Sequence, residues 1–398
     1  MPEKDSQSDT NPSAGQHQPK HRGNSDHQTM TTDVPYGSNE VRLSLKQWLV
    51  VALLVCGCLV LVPRVWERLE PFEPSSDYRI PYVLSDDYWL YNRWMEDIVA
   101  QNRIPIIGDS VVWGEYVTPE ESLSQFLNQR AGGERFANAG LNGSHPLALE
   151  GLVDQLAGRV RNRRVILHCN LLWMSSPDRD LQIDMNVSFN HPRLVPQLVR
   201  LIPSYRVPPD ERLGNIVDRQ LAFRQWVHHL RIAHFENLDL HSWSLEHPYR
   251  SPVSVIEWGL PAPDRVPRHD SASWFERGIE RQDFPWVGPS TSLQFQGFQR
   301  MLLTLQRREN HVFVIVGPFN EHLPTDESLE RYNVMKQYVR DWLTEQQVPH
   351  LMATVIESEE YGDASHPLAI GYDQLAKQIF EDAEFQSWFS TQTRQFRR

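Results

Sequence analysis

The sequence predicts an α/β fold, a three-layer αβα sandwich with a central parallel sheet. Short apolar runs typical of buried parallel strands alternate with amphipathic stretches typical of helices. The alternation begins near residue 87 and continues to the last predicted helix, with one interruption at 175–290. Repeated strand–helix–strand units place helices on both faces of a parallel sheet, and this arrangement gives the three layers.

The first half of the alternating region contains three predicted strands and three predicted helices. The strands are at 104–107, 135–138 and 165–169, and the helices are at 87–101, 118–130 and 149–156. The clearest helix start is Thr118-Pro119-Glu120-Glu121, a capping box with proline at the first helical position. The third strand is rich in valine, isoleucine and leucine, as a strand buried on both faces should be.

After the interruption the same alternation resumes. Apolar side chains at helical spacing over 295–305 predict a helix, and 312–316 predicts a strong strand. A helix at 326–345, a fifth strand at 350–356 and a closing helix from Pro367 complete the pattern. The regular domain is therefore expected at 87–174 and 291–390. The segment 175–290 is expected to be an insertion or subdomain with short elements of its own, because long structureless loops are uncommon in compact domains.

The N-terminal region reads as a tail, a membrane helix and a linker. Residues 1–45 are polar and poor in large apolar side chains, so we expect them to be disordered. Residues 47–63 carry no charge, and 46–66 is predicted as one transmembrane helix. A cleaved signal peptide or a lipidated cysteine is the alternative, although no small-x-small cleavage site follows the apolar run. Residues 67–86 are predicted to be a linker.

Charge and cysteine content exclude some classes of function. The chain has 39 basic and 51 acidic side chains, a net charge of −12, which argues against a nucleic-acid partner. The cysteines are Cys56, Cys58 and Cys169, and their spacing predicts neither a disulfide framework nor a cysteine-based metal site.

Two short motifs 253 positions apart carry the chemistry. Gly108-Asp109-Ser110 follows the first predicted strand, and Asp363-x-x-His366 precedes the closing helix. In a parallel sheet, functional groups gather beyond the carboxyl ends of the strands. Acyl transfer needs a nucleophile, a base and a group that orients the base, and Ser110, His366 and Asp363 are the right residue types. Gly140 and Asn170 close the second and third strands, where they and the Ser110 N–H can form an oxyanion hole.

At this point the chain resembles the GDSL/SGNH hydrolase superfamily. The matching blocks are Gly108-Asp109-Ser110, Gly140, Asn170 and Asp363-x-x-His366, in family order across 104–380. The resemblance implies Ser110 as nucleophile and oxyanion donor, Gly140 and Asn170 as further donors, and an Asp363–His366 pair, with no metal or cofactor. Two positions depart from the family pattern. His168 stands where the third block has glycine, and Leu171 stands where it has aspartate.

The resemblance implies a serine esterase or acyl-transfer enzyme acting on O-acyl, mainly acetyl, esters of cell-envelope or extracellular carbohydrate. Membrane-anchored relatives include envelope O-acetylation factors that work beside a membrane-bound O-acyltransferase. By this analogy the catalytic domain lies outside the cytoplasm. An O-acetyltransferase with such a partner is therefore an alternative, and so is a catalytically silent SGNH-fold binding module.

Several further residues carry weaker expectations. The candidates for substrate binding are Asn142, His145 and Asn320, which follow strands on the same rim. Asp109 is expected to brace the loop, and Glu115 to be a lone surface carboxylate. The tryptophans of the insertion are expected to pack in a small core. The histidines at 228, 229 and 234 have no acidic companion at a metal-like spacing, so no metal site is predicted.

Overall fold

In the computed structural model, the described residues are 43–183, 189–198, 202–259, 261 and 264–390. The predicted disordered tail, 1–45, lies outside them except for its last three positions, and so do parts of the predicted insertion. From Val55 onward the described residues form one compact unit, to which all the contacts below belong.

The predicted membrane helix lies within a longer helix, α1 (Leu45–Leu69). At 1.5 Å per residue this helix measures about 37 Å, more than the ~30 Å hydrocarbon core of a bilayer. It is long and apolar enough to cross a membrane, which fits either an anchor or a signal sequence.

A five-stranded parallel sheet forms the centre of the compact unit, so the predicted α/β class with a central parallel sheet is confirmed. Its strands are β1 (Ile104–Gly108), β2 (Phe136–Gly140), β3 (Arg164–Cys169), β4 (His311–Val316) and β5 (His350–Met352). The strand order is β2-β1-β3-β4-β5, and every pair is parallel. Consecutive residues of β1 and β2 are all buried, so both faces of these strands are covered.

Eleven helices follow α1 within the described residues. They are α2 (Tyr88–Ala100), α3 (Ser110–Trp113), α4 (Leu123–Ala131), α5 (Pro146–Gln155), α6 (Pro209–Gln220), α7 (Ala222–His234), α8 (Leu240–Glu246), α9 (Leu293–Arg307), α10 (Asp326–Glu345), α11 (Ala369–Glu381) and α12 (Ala383–Ser390).

Two predicted elements differ from those observed. The capping box of Thr118 and Glu121 exists, but it opens a 3₁₀ turn, and α4 begins only at Leu123. The turn and the helix are separate because Ser122 has an extended backbone, with ψ of 159°. The fifth strand is three residues long instead of seven, because only His350–Met352 pairs with β4.

The predicted linker is packed into the compact unit. Tyr78 and Arg79 are fully buried. The Arg79 guanidinium donates to the carbonyl oxygens of Trp113, Gly114 and Val117 at 2.6–2.9 Å. A segment that looks like a spacer in composition therefore stabilises the end of α3, the helix that begins with Ser110.

The predicted insertion does contain short elements of its own, α6, α7 and α8, but it is joined to the rest of the unit. Helix α7 packs against α2. Trp243 and Trp274 are buried, as the expected core packing requires, whereas Trp258 is 54% exposed. Trp274 also donates its backbone N–H to the Tyr361 carbonyl at 2.8 Å, which ties the insertion to the loop before α11.

The strand order places a crevice where the chain changes direction in the sheet. An order of 2-1-3-4-5 is a common doubly wound arrangement, and its ligand site lies outside the carboxyl ends of β1 and β3. Ser110 lies two residues after the end of β1, and Asn170 directly follows β3. The topology alone therefore brings these two residues to one edge.

Candidate active site

Ser110 is the first residue of a one-turn helix at the end of β1. Asp109 caps this helix, because its Oδ1 atom accepts the Val111 N–H at 3.1 Å. Gly108 allows the tight geometry, since a Cβ atom there would lie 2.8 Å from the Cβ of His168 on the neighbouring strand. The turn therefore holds the Ser110 side chain at the carboxyl edge of the sheet, where it is only 8% exposed.

His366 and Asp363 share a turn that is closed by the carboxylate itself. Asp363 Oδ1 accepts the backbone N–H groups of Ser365 and His366 at 2.9 and 3.0 Å. His366 Nδ1 lies 2.8 Å from the same oxygen, so Nδ1 carries a proton and donates it to the carboxylate. His366 Nε2 lies 2.8 Å from Ser110 Oγ, where its lone pair can accept the hydroxyl proton. The structure thus brings all three predicted residues into hydrogen-bond contact.

The charges of this trio stabilise one another. Burial by itself lowers the pKa of His366, but the Asp363 carboxylate outweighs burial, and with Glu115 and Asp109 it raises the pKa to about 9. Burial raises the pKa of Asp363, yet the charge of His366 and its hydrogen bonds hold it well below its usual range. Asp363 is therefore ionised across the neutral range and is suited to hold the imidazole ring.

Asp109 has the bracing role that the sequence predicts. Its Oδ2 atom accepts the Asn170 Nδ2–H and the Trp173 indole N–H, both at 2.8 Å. Burial raises its pKa, but the nearby His168 ring and the hydrogen bonds from Asn170 and Trp173 lower it to about 2. The carboxylate thereby links the loops after β1 and β3.

The histidine that departs from the family pattern is part of the interior. His168 is 4% exposed, and its Nε2 atom donates to the Gly317 carbonyl at 2.9 Å. Its Nδ1 atom lies 3.2 Å from Asp109 Oδ1. His168 therefore packs behind the Ser110 turn and connects it to the end of β4.

Two of the three predicted oxyanion donors are free to act. The Ser110 N–H has no acceptor among the described residues. Asn170 Nδ2 uses one hydrogen on Asp109 and keeps the second, and its orientation is held by the Leu172 N–H, which donates to Asn170 Oδ1 at 3.0 Å. The third, the Gly140 N–H, donates to Asn138 Oδ1 at 3.0 Å, so its part in the oxyanion hole stays a prediction.

Gly140 also allows the close packing of the Ser110 helix. A Cβ atom at this position would lie 2.4 Å from the backbone nitrogen of Trp113, which is nearer than real contacts allow. We expect Gly140→Ala to push α3 away from β2, to lower the free energy of unfolding by about 1–3 kcal/mol and to reduce activity. Thermal unfolding checks this result, with Gly133→Ala as control, because a Cβ there meets no atom within 4 Å. Equal stability of the two variants would contradict it.

Two of the three predicted substrate-binding residues, His145 and Asn320, make structural hydrogen bonds. His145 is buried and caps α5, with Nδ1 accepting the Ala148 N–H and Nε2 donating to the Asn190 carbonyl, both at 3.3 Å. Asn320 is fully buried, and its Nδ2 donates to the Asp363 carbonyl at 3.2 Å. Both side chains are thus enclosed in the ligand-free chain, and substrate binding by them stays a prediction.

Asn142 stays a candidate for substrate binding. Its Nδ2 atom is buried and has no hydrogen-bond partner among the described residues. The residue borders a cavity of about 400 Å³ whose lining includes Tyr82, Gly143 and Phe189. A larger cavity of about 1000 Å³ is lined by Ile104 and Arg164, which begin β1 and β3, so it lies at the sheet edge opposite Ser110.

The sequence interpretation missed Glu115, which is part of this site. Its Oε2 atom lies 3.3 Å from His366 Nε2, and its Oε1 atom lies 3.1 Å from Nε2 of His269 in the predicted insertion.

Tyr116, the neighbour of Glu115, donates its hydroxyl to Asp363 Oδ2 at 3.2 Å. Arg277, also from the insertion, donates to the Tyr116 hydroxyl and, at 2.9 Å, to the Gly362 carbonyl. The second half of the insertion therefore contacts the residues around the base.

The contact between Glu115 and His366 predicts how kcat/KM depends on pH. A base whose pKa is about 9 must lose its proton before it can act, so kcat/KM should rise with pH up to about 9. Glu115 raises that pKa, so Glu115→Gln should move the acidic limb of the profile to lower pH and raise kcat/KM at pH 7.

The pH profile of ester hydrolysis measures this shift. Glu120→Gln is the matched control, because Glu120 is exposed and its ion pair with Arg265 is a surface contact. A Glu115→Gln profile that superimposes on that of the native chain would contradict the prediction.

Comparison with protein-family models finds no match to this chain, and comparison with curated proteins finds none either.

Proposed function

We propose that this protein is a membrane-anchored serine esterase or acyl-transfer enzyme of the SGNH type. Its substrates would be O-acyl, above all acetyl, esters of cell-envelope or extracellular carbohydrate. The observation that carries the proposal is the continuous chain of contacts from Ser110 Oγ to His366 Nε2 and from His366 Nδ1 to Asp363, each at 2.8 Å. This is the arrangement of nucleophile, base and orienting carboxylate that acyl transfer needs.

The first half of the proposed reaction forms an acyl-enzyme. Ser110 Oγ attacks the ester carbonyl carbon while His366 Nε2 takes the hydroxyl proton. The Ser110 N–H and the second Asn170 Nδ2–H are placed to stabilise the oxyanion. The bond from carbon to the alcohol oxygen then breaks, His366 returns its proton to that oxygen, and the acyl group stays on Ser110.

The second half releases the acyl group. An acceptor hydroxyl gives its proton to His366 and attacks the acyl carbon, and the Ser110 oxygen leaves with that proton. Water as the acceptor makes the protein an esterase. A sugar hydroxyl as the acceptor makes it an O-acyltransferase, and the two reactions share every step at the trio.

Transfer to a sugar is the second candidate, and the apolar helix α1 favours it. A catalytic unit attached to a membrane can meet an acyl donor supplied by a membrane-bound O-acyltransferase. The near-complete burial of Ser110 and His366, each 8% exposed, also restricts the access of bulk water.

Hydrolysis of 4-nitrophenyl acetate by the full-length chain in detergent micelles tests the proposal. We expect turnover in the native chain and in the control variant Ser271→Ala. The Ser271 hydroxyl lies near the site and donates to the Tyr116 carbonyl at 3.2 Å. Adding an oligosaccharide acceptor separates the two candidates, because a transferase forms acetylated sugar and an esterase forms only acetate. A folded native chain that neither turns over ester nor reacts with a serine-directed probe would favour the silent binding module.

A further inference from the structure

A cluster of two histidines and a glutamate lies away from Ser110, with two of its residues buried and the third half-buried. It joins Glu70, which directly follows α1, to His229 and His234 on α7. One ligand atom from each residue lies within 4.8 Å of the other two. Glu70 supplies the acidic companion that the spacing of the histidines lacks, from 159 positions earlier in the chain.

His229 is held as metal-bound histidines are held in proteins. Its Nδ1 atom lies 2.7 Å from Asp87 Oδ2, and its Nε2 atom faces Glu70 Oε1 at 3.2 Å. A metal-ligating histidine commonly donates its other ring N–H to a carboxylate, which fixes the ring and its tautomer. Asp87 is itself fixed, because its Oδ1 atom accepts the Leu90 N–H at 3.0 Å as the cap of α2.

His234 gives a second, independent indication of a ligand. Its Nε2 atom is buried and has no hydrogen-bond partner among the described residues. Its ring lies beside that of His229, with centroids 6.1 Å apart. A buried ring nitrogen without a partner is costly, and a bound cation would satisfy it.

We propose that Glu70, His229 and His234 bind one divalent transition-metal ion, with Zn²⁺ the best match to two imidazoles and a carboxylate. Tetrahedral zinc with bonds of about 2.0–2.1 Å places its ligand atoms about 3.4 Å apart, so the cluster contracts modestly on binding. Three protein ligands leave a fourth position for water. The ion links the segment that leaves α1 to the insertion helix α7, where Trp66 and Trp226 also contact each other, with ring centroids 5.6 Å apart.

A metal-free ion-pair network is the competing account of the same residues. Arg93 pairs with Glu70 Oε2, and His229 lies between Glu70 and Asp87. That network explains Glu70 and His229 without a metal. It leaves His234 without a role, so a variant of His234 separates the two accounts.

Zinc titration of the full-length chain tests the proposal, with a chromogenic chelator as competitor and an affinity tag that contains no histidine. We expect one zinc ion per chain in this cluster. His234→Ala should weaken zinc binding at least ten-fold, and Asp87→Asn should weaken it about 10–100-fold, because asparagine keeps the helix cap but removes the carboxylate. His241→Ala, an exposed histidine on α8, should bind zinc as the native chain does.

Thermal unfolding gives a second readout that does not depend on ester turnover. Zinc should raise the Tm of the native chain and of His241→Ala, and should raise that of His234→Ala much less. Equal zinc affinity in the native chain and His234→Ala would overturn the proposal, because the histidines of the N-terminal tail are common to both. Absence of stoichiometric zinc binding in the folded native chain would overturn it as well.

Discussion

Replacing Ser110 with alanine should lower kcat/KM for 4-nitrophenyl acetate by about 10³-fold or more. The substitution removes the only proposed nucleophile, and it leaves the Ser110 backbone N–H in place. Removing one member of a serine–histidine–aspartate trio typically leaves only the residual catalysis of binding and the oxyanion hole. His366→Ala should lose a similar factor, and the double variant should lose little more, because residues that act as one unit are not additive.

The fold should survive the Ser110 substitution. The side chain is small, and the cap of α3 depends on the Asp109 carboxylate, which stays in place. Far-UV circular dichroism and the Tm of Ser110→Ala should therefore match those of the native chain. A folded Ser110→Ala variant with undiminished turnover would place the nucleophile elsewhere.

Asp363→Asn should lower kcat by about 10³–10⁴-fold while leaving the loop largely intact. The amide oxygen can still accept the backbone N–H groups of Ser365 and His366, which now bond to Asp363 Oδ1. The amide NH₂ group replaces Oδ2, which lies 2.9 Å from His366 Nδ1. Its hydrogens oppose an Nδ1–H, so the ring favours the tautomer in which Nδ1 accepts from the amide and Nε2 carries the hydrogen. That atom then cannot receive the Ser110 proton.

Steady-state kinetics over a range of pH measure the loss of kcat in Asp363→Asn. Asp363 is the main group that raises the pKa of His366, so the acidic limb in Asp363→Asn should also move to lower pH. Asp373→Asn is the control, because Asp373 forms a partly exposed ion pair with Arg130, and its activity should stay within about two-fold. Activity of Asp363→Asn close to that of the control would contradict the orienting role.

The sheet could be predicted from sequence because its strands carry strong local patterns. Residues 104–107, 165–169 and 312–316 are nearly continuous apolar runs, and the structure has strands at each of them. Ser110 and Asn170 could be placed together because parallel strands align their carboxyl ends. The meeting of Ser110 with His366 followed from the same rule, since the last loop returns to that edge.

Other features depend on contacts between distant segments, which local patterns do not encode. Glu115 resembles any surface carboxylate until His366 and His269 are placed beside it. The hydrogen bond from the Gly140 N–H to Asn138 Oδ1 is likewise not evident from the sequence pattern. Residues 67–86 have the composition of a linker, yet Arg79 is buried because three carbonyl oxygens of a distant turn satisfy its guanidinium.

The short helices of the insertion illustrate a further limit. Helix α6 begins at Pro209 and is mostly polar, with Asn215 its only buried residue in the structure. Helix α6 is amphipathic, but it is much more polar on average than α7, and of the two only the stretch at 220–233, which covers most of α7, is predicted from the sequence. His269 and Arg277 lie outside these helices. Their contacts with the active-site loops join segments that are far apart in sequence, so the local pattern does not predict them.

The most direct measurement is peptide mapping by mass spectrometry after the full-length chain reacts with a fluorophosphonate probe. The proposed mechanism predicts one covalent adduct, on Ser110 Oγ, formed by the native chain and by Ser271→Ala. It predicts no adduct in His366→Ala, because the serine hydroxyl then lacks its base. An adduct on another serine, or equal labelling of Ser110 in His366→Ala, would contradict the proposal that Ser110 and His366 form an acyl-transfer site.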